Sequence, residues 1–393
     1  MLKKIGLVFI LFCSIGFSQK KIELTSLSRI SILTFGPGDD LYSKFGHTAI
    51  RIQEPSLDLD IVFDYGNFAS FEDGFYLKFI QGQLTYSMGG RKFSSLIEEY
   101  RQENRFVREQ MLNLTLEERK QLFTFLENNF LPENRNYSYD FFFDNCATKI
   151  PEILKTVFKD KIYFANDHLK EQFTFRQLIH QKVKTNTWSG FGIDLALGTS
   201  IDKKASVKEH MFLPEYVYRQ LSGTTIKDKP LVTKDHLILT EKMPVGAAIF
   251  LLSPMFWLSI FLMLVLYVTF LNLKKNTRSK WLDFGLFFMT GAAGLLLFFL
   301  WFLTDHKPTV NNFNILWAFP LNLFFAFIVL KKSIPSWSNN YLWALLGLLF
   351  LVLIIWTLQI QIFSPLIIFI LMALGIRYAF LLRCSIKNLK PNA

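Results

Sequence analysis

The chain has 393 residues, of which 51% are hydrophobic and 16% aromatic, and it carries a formal net charge of +11. That charge gathers largely beside apolar stretches and forms no separate basic, aromatic-interleaved arm, which argues against a nucleic-acid-binding protein. Between the signal-like first residues and the first long apolar stretch the only cysteine is Cys146, so that segment has no partner for an internal disulfide.

Residues 1–18 combine Lys3 and Lys4, a short apolar run and small residues at Gly16 and Ser18, the pattern of a secretory signal cleaved near Ser18. Cys13 follows Phe12 rather than a small residue, so it reads as part of that signal and not as a lipidation site. Residues 19–243 then provide enough chain for one compact domain outside the cytoplasm. Within it, HTAIRI from His47 and IVFDYG ending at Gly66 alternate as strands, and QEPSLDLD between them is turn-prone, which predicts a hairpin. With the turn centred near Ser56 and Leu57, Asp64 falls opposite Ala49 and one diagonal step from His47, roughly 7 Å between backbone positions. The Gly89–Gly90 pair, followed by Arg91 and Lys92, matches no phosphate-binding pattern and reads as a turn.

Further on, Thr115 and Glu118 form a capping box ahead of Leu122, Leu126 and Phe130, predicting a helix over 115–130 that Pro132 stops. In YDFFFDNCATKI, Asp144 and Asn145 are N-cap types, which puts Cys146 in the first turn of a helix. Backbone N–H groups and the positive end of the helix dipole then face the sulfur and lower its pKa. Pro151 is expected to kink that helix or delay its start. The stretch 182–246 has only scattered apolar islands and is expected to complete the domain and lead down to a membrane. The fold class is therefore α+β for the front domain, followed by an all-α membrane domain over 244–393.

Five apolar stretches, near 246–272, 281–303, 313–330, 341–358 and 364–382, mostly approach the ~20 residues that cross a bilayer. The connections KKNTRSK and KKS and the tail RCSIKNLK are basic, whereas TDHKPTVNN and QIQIFS hold one lysine between them. The basic ones are expected on the cytoplasmic side. An odd number of spans then puts the front domain outside and the C-terminus inside, in agreement with the leader. Cys384 lies at that inner end.

Cys146, His47 and Asp64 are the residue types of a thiol nucleophile, a base and an orienting carboxylate. The bland alternative is a buried cysteine that packs as a small apolar residue and a histidine satisfied at a strand end. His168, His180, His210 and His236 lack HExxH spacing and a cysteine cluster, so no metal site is expected.

The phrases FGHTAIRI, VFDYGNF, FFFDNCATKI and TDHKPTVNNFNILWAFPLN, in this order and followed by further spans, resemble the Lnb family of lipoprotein N-acyltransferases over nearly the whole chain. The histidine-before-cysteine order is also similar to circularly permuted NlpC/P60 thiol proteins, whose lecithin:retinol acyltransferase branch moves acyl chains through a cysteine thioester. The resemblance implies a papain-type front domain with Cys146 as nucleophile, His47 as base and Asp64 at the third polar position, and it calls for no cofactor. It implies a phospholipid acyl donor and, as acceptor, the α-amine of a diacylated lipoprotein at the outer face of a bacterial inner membrane. Asn145 is an oxyanion candidate beside the Cys146 backbone N–H. Asp305, His306, Asn312 and Asn314, followed by Trp317 and Pro320, are expected to contact headgroups or the acceptor amine. Two other readings stay open: a membrane-anchored NlpC/P60-type peptidase or amidase acting on peptidoglycan, and a non-enzymatic receptor.

Overall fold

A computed structural model of the protein describes residues 22–68, 78, 81–83, 85–241 and 250–387; the expected leader and its Cys13 lie outside the described residues. The front domain contains strands β1 (Arg29–Phe35), β2 (His47–Glu54), β3 (Leu59–Phe68), β4 (Thr85–Lys92), β5 (Val107–Leu112), β6 (Asn136–Ser138), β7 (Ile162–Tyr163), β8 (Thr225–Ile226), β9 (Lys229–Pro230) and β10 (Val232–Leu239). Its helices are α1 (Phe93–Gln102), α2 (Leu116–Phe130), α3 (Cys146–Phe158), α4 (Phe175–His180), α5 (Trp188–Ala196) and α6 (Pro214–Gly223). Seven strands form one antiparallel sheet in the order β10-β5-β1-β2-β3-β4-β6, and β7, β8 and β9 form a small second sheet. Both faces of the large sheet are covered. Ile30, Ile32, Ile50 and Ile52 face a core shared with α2, α3 and α6, while Leu33, Phe35, Ala49 and Val62 pack with Leu96 and Tyr100 of α1. That two-sided burial is why every β1 residue after Arg29 is buried.

The β2–β3 hairpin has the expected register, with Ala49 opposite Asp64. Its turn is a short helical loop, Pro55–Leu57, closed by Asp58 in the left-handed region at φ 50°. Helix α2 carries the predicted capping box between Thr115 and Glu118. The Gly89–Gly90 pair departs from expectation because it lies inside β4 rather than in a turn. A Cβ on Gly89 would stand 2.6 Å from both the Asp64 carboxylate and the Asn67 amide, so the missing side chain makes room for those groups.

Helix α3 also differs from expectation, since it starts at Cys146 and runs through Pro151. Its first turn is fixed upstream of the proline: Asn145 Oδ1 accepts from the Ala147 and Thr148 N–H groups at 2.8 and 2.9 Å, and Asn145 N donates to Thr148 Oγ1. Pro151 removes only its own donor, one turn later.

Four long apolar helices follow: α7 (Pro254–Lys275), α8 (Lys280–Phe302), α10 (Ser338–Thr357) and α11 (Ile367–Lys387), each long enough to cross a membrane. The stretch expected as a third continuous span is broken into a 3-10 turn, Phe313–Leu316, and a short helix α9 (Asn322–Ile328), with Pro320 between them. It still passes from one end of the bundle to the other. Asn312 at its start bonds the front domain, and at its far end Arg278 donates to the Val329 and Lys331 carbonyls at 2.7 and 2.8 Å. The break is tolerated because the segment lies tight against α8. A Cβ on Gly294 would meet the Ala318 carbonyl at 1.9 Å, and one on Gly291 would meet Leu323 N at 2.1 Å.

The described part of the stretch expected to complete the domain, 182–241, supplies β10 at the edge of the large sheet and much of the seat on the membrane domain. Trp188 Nε1 donates to the Leu252 carbonyl, Met255 N donates to Asn186 Oδ1, and the backbone of Gly198 and Thr199 pairs with Pro308 and Asn311.

Candidate active site

His47 begins β2, and Asp64 is on the neighbouring strand with its carboxylate 3.4 Å from His47 Nε2. Cys146 begins α3, which packs across the same strand ends. What lets the helix come so close is a bulge in β3: between Asp64 and Asn67 the pairing with β4 shifts, and Gly66 adopts φ +97°. A Cβ on Gly66 would be 3.8 Å from the Cys146 Cβ. Bulges of this kind re-aim the groups beside them.

The thiol is held from several sides. The His47 ring is within hydrogen-bonding reach of the Cys146 sulfur, the Thr48 backbone N–H points at the same atom, and Thr48 Oγ1 donates to the Cys146 carbonyl at 2.8 Å. Burial alone would raise the thiol pKa, but the positive charge and hydrogen bond of His47, with the Thr48 N–H, bring it below its ordinary value of 9.0. For His47 burial works against the charged ring. The Cys146 thiolate, Tyr100 and Asp64 outweigh it and raise the imidazole pKa well above 6.5. The two shifts run in opposite directions and each residue is a cause of the other's, so the titrations belong to the pair jointly. A fifth of the His47 side chain is exposed and Cys146 is half-buried, so the pair remains reachable.

Asp64 is buried, yet three neighbours hold it ionised. Burial would raise its pKa, while His47, the Asn67 amide at 2.9 Å and the Arg91 guanidinium at 3.5 Å lower it. Thr48, Gly66, Asn67 and Arg91 were not legible as site residues in the sequence. The available signal was only their position one to three residues from His47 and Asp64, and in Arg91 the sequence offered a turn flank.

Other candidates prove to be engaged elsewhere. Asn145, expected as an oxyanion donor, has no free donor: its Nδ2 bonds the Phe141 and Phe212 carbonyls, both at 2.8 Å, and its Oδ1 caps α3. Asn314 and Trp317 are also unavailable to substrate. Asn314 is 1% exposed and joins the Asp194 and Leu195 carbonyls, while Trp317 is 4% exposed and donates to Asn314 Oδ1. Asp305 is exposed but bonded to the front domain, through Gln83 Nε2 at 2.6 Å and the Gln81 carbonyl. His306 stacks over Gly82, where a Cβ would stand 2.9 Å from its Nδ1. The loop after α8 therefore holds Gln81, Gly82 and Gln83 just ahead of β4 and reaches the turn before Cys146, with Lys307 Nζ 4.0 Å from Asp140.

Among the described residues no cluster of three or more His, Cys, Asp or Glu side chains is arranged to hold a metal ion. A cavity of about 910 Å³ runs along Thr148, Pro151, Glu152 and Lys155, on the face of α3 turned away from the sulfur, so it is not the reaction site.

Comparison with curated proteins, and with solved structures, gives no match. Two family models do match, the Lnb N-terminal periplasmic domain over residues 16–181 and the Lnb transmembrane domain over residues 247–389. The first spans His47, Asp64 and Cys146, and the second spans the broken crossing and all four long helices up to the end of the bundle. With both domains matched in order, the chain belongs to the Lnb family.

Proposed function

We propose that this protein moves an acyl chain from a phospholipid, through a thioester on Cys146, to the α-amine of a diacylated lipoprotein. The observation that carries the reading is the placement of Cys146 at the start of α3 against His47 and Asp64 on adjacent strands, in a domain that sits on a membrane bundle of the Lnb family. In the first half-reaction the thiolate attacks the ester carbonyl and the tetrahedral intermediate collapses. The lysophospholipid alkoxide leaves with the proton of the His47 imidazolium. In the second, neutral His47 accepts a proton from the acceptor amine as it attacks the thioester. The new amide leaves and the Cys146 thiolate is restored. An α-amine with an ordinary pKa of about 7.7 to 8 needs only modest help from such a base. Asp64 keeps the ring oriented through both halves.

The membrane domain suits substrates that carry acyl chains. A lipid-facing groove of about 550 Å³ between α8 and α9, lined by Phe288, Ala292, Leu295, Leu296, Phe299, Leu323 and Phe327, is almost wholly apolar. In this reading the front domain is periplasmic, the chain is multi-pass in the inner membrane, and the basic connections and C-terminus are cytoplasmic. A wall peptidase would need no such bundle.

The test is mass spectrometry of lipoprotein N-termini in cells that depend on this chain. Cys146→Ser and His47→Ala should each leave the termini diacylated, and wild type should carry a hydroxylamine-sensitive acyl group on Cys146. Unchanged triacylation in both variants would remove the transferase reading.

A further inference from the structure

The shortest contact of the Asp64 carboxylate is not the one to the imidazole. Its Oδ2 is 3.4 Å from His47 Nε2 and 3.5 Å from Arg91 Nη2, both long for a hydrogen bond, whereas its Oδ1 accepts from Asn67 Nδ2 at 2.9 Å. Arg91 and His47 therefore compete for one oxygen while Asn67 holds the other. The acyl-transfer reading gives Asn67 no role.

Asn67 reaches Asp64 only because of the bulge in β3. Along a regular strand successive side chains face opposite sides, and here Phe63 and Tyr65 enter the core shared with α3 while Val62 packs with α1 on the other side, the side of Asp64. Three residues beyond Asp64, Asn67 would follow Phe63 and Tyr65. The register prevents this: Asp64 pairs with Gly89 and Asn67 with Ser87, so three steps along β3 match two along β4, and the extra residue returns Asn67 to the face of Asp64. Gly89 leaves the space, since a Cβ there would stand 2.6 Å from both Asn67 Nδ2 and Asp64 Oδ1.

Arg91 is the competitor that makes such a hold necessary. A guanidinium and a carboxylate that are free to turn favour two parallel N–H···O bonds. The other arm of Arg91 is on Glu99 at 2.7 Å, but that pair is well exposed, with side chains 36% and 48% accessible, and so gives way at little cost.

We infer that Asn67 is a positioning residue: by holding Oδ1 it stops the Asp64 carboxylate from turning onto Arg91 as a bidentate pair, and so keeps Oδ2 on His47. This rests on the acyl-transfer reading and deepens it. Asn67 touches no substrate and moves no proton; it acts on the imidazole through Asp64. Without the amide the carboxylate turns to Arg91 and the ring loses its orienting partner. Deleting the guanidinium as well removes the competitor, so the second substitution repairs the first.

The experiment measures transfer by the full-length protein with Asn67→Ala, with Arg91→Met, and with both. Asn67→Ala should lower kcat by roughly 10- to 100-fold with KM little changed, the scale of a misplaced catalytic group. The double variant should regain most of that loss. The titratable or charged groups that face His47 are Cys146, Tyr100 and Asp64, with Arg91 behind Asp64. In Asn67→Ala only the Asp64 contact is lost, so the alkaline limb of the transfer profile should move to lower pH, and it should return in the double variant. A kcat for Asn67→Ala within about threefold of wild type would overturn the inference, as would a double variant no more active than Asn67→Ala, the mark of a merely structural loss. Cys146→Ala separates the two levels. If it abolishes transfer while Asn67→Ala turns over normally, the positioning role fails and the acyl-transfer reading stands; if it transfers normally, both fail.

Discussion

At the scale of single residues the site is an argument about which charged state burial permits. Cys146 and His47 are each pushed by burial toward neutrality, and each is held charged by the other, with Asp64 behind the ring. The sign of the resulting pH dependence follows. A thiol pKa lowered below 9.0 means that alkylation of Cys146 rises through a midpoint below that of an ordinary thiol. His47→Ala removes the positive partner, so the midpoint should move up; a stopped-flow alkylation series from pH 5 to pH 10 reads this directly. Transfer itself should decline again as pH rises through the raised His47 pKa, because the leaving alkoxide then lacks its proton. A midpoint unmoved in His47→Ala would mean that ring and sulfur are not paired. Asp64 and His47 were legible from strand alternation alone, because a period of two leaves no freedom once the turn is placed.

At the scale of elements, helix α3 is the piece that delivers the sulfur, and its start is set by Asn145. The amide at this position both caps the helix and ties the preceding turn to Phe141 and Phe212. Asn145→Ala should therefore cost at least the ~1–2 kcal/mol typical of a lost N-cap, seen as a lower melting temperature, and should slow Cys146 alkylation as the first turn frays. An unchanged melting temperature would show that packing alone seats the helix. The sequence identified Asn145 as a cap and also offered it to chemistry. The structure decides between the two, because one amide has too few hydrogen-bonding sites to do both. The same competition explains Gly89, which reads as a turn residue and serves as empty space beside Asp64.

At the scale of the whole molecule, the two domains are joined by a buried polar knot. Arg176, 1% exposed, bonds Asp194 at 2.9 Å, Asp202 at 2.6 Å and the Leu197 and Gly198 carbonyls, while Asp202 also receives the Ile362 N–H from the membrane domain. Asn312, Asn314 and Gln361 continue it into the bundle. Arg176→Ala leaves Asp194 with only His180 and Asp202 with only the Ile362 N–H, and should destabilise the protein by about 3–5 kcal/mol, the usual cost of breaking a buried pair from one side. Thermal unfolding of the detergent-solubilised chain checks it, and a variant as stable as wild type would mean that the knot does not hold the domains. Asn314 and Trp317 look like ligands in the sequence because polar and aromatic residues at a membrane surface suit headgroups equally well. Their burial under the front domain is a property of the seat.

The sequence by itself determined the hairpin and its register, the capped helices and the two-domain order. Each follows from local periodicity, capping chemistry or hydropathy, which act over a few residues and leave their mark on the string. Only the tertiary structure decided that the third apolar stretch is broken against Gly291 and Gly294, that the loop after α8 braces the front domain, and that Cys146 at the start of α3 meets His47 at the start of β2. Those facts depend on which backbones approach within a few ångströms across long separations in the chain, and close approach has no period for a sequence to display.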